Sequence, residues 1–191
     1  AIDPSLLHYP DAPINKADGL GAATGINEMW DDSVFGQFDG AGQTIVIIDS
    51  GIDDSHEAFG DRIIFQYDFA DMDSDANDAG SHGTHVAGIA AGSSSSLKGV
   101  ASGANIISLK VFTSGESKNY GAIEDALDWC AKNVSAYNIA SVNMSLGYPS
   151  INENSDTALW LSDEINSITN AGAMVVVAAG NSYYELDSKQ E

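Results

Sequence analysis

This sequence has one cysteine, one arginine and no long apolar run, and each scarcity removes a class of protein from consideration. Cys130 alone cannot close a disulfide within the chain, and its apolar helical surroundings mark it as a small buried hydrophobe rather than a nucleophile. Only 7 Lys and Arg, with Arg62 the sole arginine, stand against 28 Asp and Glu, for a formal net charge of −21. Nucleic acid and anionic lipid are thereby excluded as partners, because both are held by clustered basic side chains. No stretch reaches the ~20 consecutive apolar residues that span a bilayer, so no membrane association is expected. The start, Ala1 to Pro10, lacks the basic and apolar regions of a signal peptide, as a processed beginning would.

What is present suits a globular domain: 191 residues, 43% of them hydrophobic, enough to bury a sizeable core. Residues 1–24 read as an N-terminal arm wrapping the surface, and 25–191 as part of one domain, opening with a short helix around Gly25 to Ser33. From there the pattern predicts strand Thr44 to Ile48, strand Ile63 to Tyr67, an acidic loop, a helix from His82 to about Gly92 and strand Ile106 to Val111. Helix Gly121 to Lys132, strand Ile139 to Met144, helix Thr157 to Ala171 and strand Met174 to Ala178 follow, while the polar run Ser93 to Ser96 reads as a loop. The strands at Thr44 and Met174 are continuous Val and Ile runs rather than alternating ones, as expected where helices cover both faces of a parallel sheet. The fold class is therefore α/β, a doubly wound, mainly parallel sheet with helices on both faces.

In such sheets reactive groups gather at the carboxyl ends of strands. Asp49 ends an apolar strand in Ile-Ile-Asp-Ser-Gly, where an acid could equally serve a nucleotide or Mg²⁺. His82 opens a small-residue helix in Gly-Ser-His-Gly-Thr-His, fixed in place yet reachable by substrate. His85, three residues on, is expected to pack against loop and sheet; the spacing and the absence of the zinc-protease Glu argue against a metal pair. The third segment, Met174 to Asn181, delivers a side-chain amide after a strand of small residues, which can donate to a developing oxyanion or simply shape a Gly-Asn turn.

Taken in order, these three segments resemble the subtilase family of subtilisin-like serine endopeptidases, and the likeness runs from about Gly25 onward through Gly99-Val100-Ala101, Trp129 and Val142 to Gly147. The resemblance implies that Asp49 orients and stabilises the imidazole, that His82 acts as general base and acid, and that Asn181 lines the oxyanion hole. It implies that Ser145, Leu146 and Gly147 pair with an extended peptide, that Ala178, Ala179 and Gly180 wall the primary pocket, and that Tyr120 caps a more distant one. The acidic loop Tyr67 to Asp78 is similar to a calcium loop of thermitase-like members, implying structural calcium held by Asp68, Asp71, Asp73, Asp75 and Asn77; a solvated acidic loop is the alternative. Secretion is implied as well.

The family's Gly-Thr-Ser-Met-Ala nucleophile segment has no counterpart here, since only Ser182 to Glu191 follow Asn181. The expected partners are thus a protein or extended peptide as substrate and a complementary C-terminal fragment, or further stretch of chain, bearing the serine. These 191 residues alone are expected to be inactive and poorly stable. The competing expectation is a peptide-binding module that has lost catalysis.

Overall fold

A computed structural model describes residues 25–78, 80–94, 97–113, 120–147 and 161–180. The N-terminal arm, 1–24, lies outside the described residues. In chain order the elements are α1 (Ile26–Asp31), β1 (Thr44–Asp49), β2 (Ile63–Asp68), α2 (His82–Ala91), β3 (Ser93–Ser94), β4 (Leu97–Lys98), β5 (Asn105–Lys110), α3 (Tyr120–Asn133), β6 (Ile139–Met144), α4 (Ser162–Asn170) and β7 (Met174–Val177).

Five strands form one parallel sheet in the order β2-β5-β1-β6-β7. Strand β1 is central because its residues are apolar on both faces: Val46 and Ile48 point into one core, Ile47 into the other. The first core packs α3 and α4, through Ala122, Ile123, Ala126, Leu127, Cys130 and Ile168, against β1, β5 and β6. On the opposite face, Ala87 and Ala91 of α2 join Ile52, Phe59 and Ile106. Helices therefore cover both faces, as the continuous Val and Ile runs foretell. Cys130 is fully buried, and burial pushes its thiol pKa up to about 12, so it stays protonated and inert.

Two expectations need correction. The polar run after Gly92 is partly ordered as an antiparallel pair, Ser93 opposite Lys98 and Ser94 opposite Leu97, anchored by the Ser93 N–H on Ala58 O. Strand β7 is not covered on both faces: it is a sheet edge, with Met174 65%, Val176 45% and Val177 53% exposed. Its apolar run is suited to burial, but the described residues supply too few neighbours. The helix expected over 157–171 is present as α4, Ser162–Asn170, and residues 157–160 lie outside the described residues.

The strand order reverses beside β1, since β5 lies on one side and β6 on the other. A crevice at the carboxyl end of a parallel sheet forms at such a point, and Asp49 ends β1 there.

Candidate active site

Glycines let the end of β1 and the start of α2 approach closely. Gly51 turns the chain with φ of 103°, a left-handed conformation that side chains resist. A Cβ at Gly83 would lie 2.1 Å from Gly51 O and 3.1 Å from Asp49 Cβ, so only glycine admits this helix–strand contact. His82, one residue earlier, is thereby carried to the strand end. Its Nδ1 lies 2.7 Å from Asp49 Oδ1, which also accepts the Ser50 N–H at 2.7 Å. The Asp49 side chain is 1% exposed and that of His82 63%. A buried carboxylate thus faces one ring nitrogen while the imidazole stays open to solvent, the arrangement in which an acid fixes an imidazole's tautomer and orientation.

The surrounding contacts are dense. Asp78 accepts the Ser50 hydroxyl at 3.0 Å and the Gly80 N–H at 3.0 Å on one oxygen, and the Thr84 N–H at 2.9 Å and hydroxyl at 2.6 Å on the other. The Gly83 N–H donates to Ser50 Oγ, and the Asp53 N–H to Thr84 Oγ1. Sequence reasoning missed Ser50, Asp78 and Thr84; the one available signal was an acid four residues before a histidine that opens a helix.

The peptide-binding expectation falls on two neighbouring strand ends. Ser145, Leu146 and Gly147 leave β6, with Ser145 Oγ accepting from Asn143 Nδ2 at 3.0 Å, and 178–180 leave β7, with the Ala178 N–H donating to Met144 O at 3.1 Å. Ala178, Ala179 and Gly180 are exposed, and Gly180 turns away with φ of 89°. The structure brings these segments to the same carboxyl end of the sheet as Asp49, one and two strands away from β1. Tyr120 begins α3, but its side chain, like the whole of Asn181, lies outside the described residues. His85 corrects an expectation: it is exposed on α2 rather than packed on loop and sheet, because Gly83, Ala87, Gly88 and Ala91 form the face that meets the sheet.

The acidic loop implied to hold calcium also has partners within the chain. Asp68 is buried and committed elsewhere: one oxygen binds Lys110 Nζ at 2.7 Å, the other accepts the N–H groups of Ala70 and Asp71. Asp73 and Asp75 each accept a backbone N–H within the loop, from Asp75 and Asn77 respectively. Among the described residues no three His, Cys, Asp or Glu side chains converge as a metal site. Of the set implied for calcium, Asp68 has the Lys110 ammonium beside it, while Asp71, Asp73, Asp75 and Asn77 are exposed on the loop. Burial alone would lower the Lys110 pKa, yet the hydrogen bond and charge of Asp68, with the charges of Asp71 and Asp75, raise it above the usual lysine value. A lysine ending an apolar strand in so cation-poor a chain was the overlooked sequence signal. A shallow depression of about 550 Å³ lined by Asp54, Gly60, Asp61 and residues 63–66 includes neither Asp49 nor His82.

Comparison with known proteins follows the same lines. Residues 40–191 match the model of the subtilase family. The chain is 37% identical over 168 residues to alkaline serine exoprotease A of Vibrio alginolyticus, covering 88% of this chain and 29% of that protein. It is 36% identical over 180 residues to subtilisin-like protease 3 of Arthroderma otae, covering 93% and 42%. Among solved structures, a cold adapted subtilisin-like serine proteinase is similar at 36% identity with a TM-score of 0.64, over 76% of this chain and 49% of that one. The chain thus spans less than half the length of each.

Proposed function

The chain belongs to the subtilase family, and on that premise we propose that it is the acid-and-imidazole portion of a serine endopeptidase. The observation that carries the proposal is the 2.7 Å contact between a buried Asp49 carboxylate and a solvent-facing His82 ring. With Nδ1 turned to Asp49, Nε2 is the nitrogen available to a substrate-side hydroxyl. A serine supplied by a further segment, in the same chain or a complementary fragment, would give its proton to Nε2 as its oxygen attacks the scissile carbonyl carbon. Asp49 stabilises the imidazolium so formed. The proton then passes from Nε2 to the leaving amine as the C–N bond breaks, and water repeats the sequence to release the acyl group. Asn181 donates its amide to the carbonyl oxygen as that oxygen gains negative charge.

Substrate binding belongs to the same proposal. An extended peptide lies against 145–147, with 178–180 walling the pocket and Tyr120 flanking it further out, so main-chain hydrogen bonds provide most of the affinity. Calcium takes no part in these steps. Export from the cell goes with the proposal; no helix among the described residues is long and apolar enough to cross a membrane.

Hydrolysis of an unfolded protein such as casein by the form that includes the serine-bearing segment is the test. Activity that His82→Ala lowers by roughly 10⁴-fold or more supports the proposal. Peptide binding without hydrolysis, indifferent to His82→Ala, supports a non-catalytic binding module instead.

A further inference from the structure

Asp78 makes no hydrogen bond to Asp49 or His82, yet it joins the two segments that carry them. Its carboxylate takes four hydrogen bonds, from Ser50, Gly80 and twice from Thr84. Ser50 directly follows Asp49 and gives it a backbone N–H; Thr84 sits in the first turn of α2, two residues after His82. Ser50 Oγ completes the circuit by accepting the Gly83 N–H at 3.0 Å. Two of these bonds satisfy N–H groups of a helix's first turn, which have no partner within the helix, and a carboxylate at that end also complements the helix dipole.

We propose that Asp78 is the positioning residue of the Asp49–His82 pair, clamping the β1 turn to the α2 start so that the carboxylate and imidazole stay in register through turnover. The inference rests on the serine-endopeptidase function proposed above. A clamp of this kind acts on the reacting geometry rather than on substrate affinity. Small misplacements of a general base are costly: an offset of about 1 Å can reduce the rate by 10²-fold. Asp78→Asn replaces one acceptor oxygen by an NH₂ group, which would face the donors of Thr84 or the Ser50 hydroxyl, so one half of the clamp opens. Ser50→Ala removes only the link between Asp78 and the Gly83 N–H, and is the variant that decides if Asp78→Asn does not fold.

The test uses the native enzyme with its serine segment, reading peptide hydrolysis and the low-field proton NMR signal of His82 Nδ1–H. Asp78→Asn is expected to lower kcat by about 10- to 100-fold with KM within about twofold, and to broaden or abolish the low-field signal. Ser50→Ala is expected to move both readouts in the same direction by less. Unchanged kcat and an intact signal in the folded variants would overturn the proposal, as would a loss carried by KM alone. A parent enzyme with neither hydrolysis nor signal would instead remove the underlying endopeptidase function, and Asp78's role with it.

Discussion

Among the described residues, the buried charges Asp49, Asp68 and Lys110 each face a partner. Asp49 is answered by an imidazole and a backbone N–H, and Asp68 by Lys110 and two backbone N–H groups. Lys110 is the sharper case because its register partners on the two flanking strands are Asp49 and Asp68. Removing one member of a buried pair strands the other, at about 3–5 kcal/mol. Lys110→Met is therefore expected to lower the unfolding free energy by about 3 kcal/mol in urea denaturation, and Asp68→Leu added to it to recover part of the loss. The pH dependence follows from the raised lysine pKa. Stability from the pair is fully present below the ordinary lysine value of 10.5 and is lost as pH rises through the higher folded value. The gap between wild type and Lys110→Met should accordingly narrow above pH 10.5.

At the scale of elements, the site depends on how closely a helix start can lie against a strand turn. Gly83 sets that distance, because any Cβ there would collide with the Gly51 carbonyl. Gly83→Ala is expected to cost about 1–3 kcal/mol of stability by displacing α2, and to weaken catalysis together with it, read by denaturant unfolding and by hydrolysis rates. Much of this level was legible in the sequence. The apolar runs of β1, β5 and β6 and the small-residue face of α2 fix layer and neighbour through hydrophobic burial, a short-range property of residue type. The Asp49–His82 meeting was legible through the strand-end and helix-start placement of the two residues and the family resemblance. What pattern reading could not supply was partner choice among polar groups. Five carboxylates between 68 and 78 look alike in sequence, yet Asp68 turns to a lysine, Asp78 to a helix start, and Asp73 and Asp75 to their own loop. His85 and β7 misled for the opposite reason, since their exposure depends on which neighbours are present, not on their own residue types.

For the whole molecule, the flank of β7 is apolar and left open among the described residues. Met174 and Val176 lie on the α2 side of the sheet, an apolar surface that the described residues leave uncovered. Val176→Asp should change the stability of these 191 residues alone by no more than about 0.5 kcal/mol. If the serine-bearing form proposed above covers that surface, the same change should cost about 2 kcal/mol or more there by burying a charge. Thermal unfolding of both forms distinguishes the two values. The strongly acidic balance, −21, favours solubility without contributing to the core.

Labelling by a fluorophosphonate, which reacts only with a serine that an imidazole activates, tests the central claim most directly. The form that unites this chain with its serine-bearing segment is expected to take up the probe on that segment, and His82→Ala and Asp49→Asn to abolish or slow the uptake. Uptake that ignores both substitutions, or none in the united form, would contradict a catalytic role for the Asp49–His82 pair.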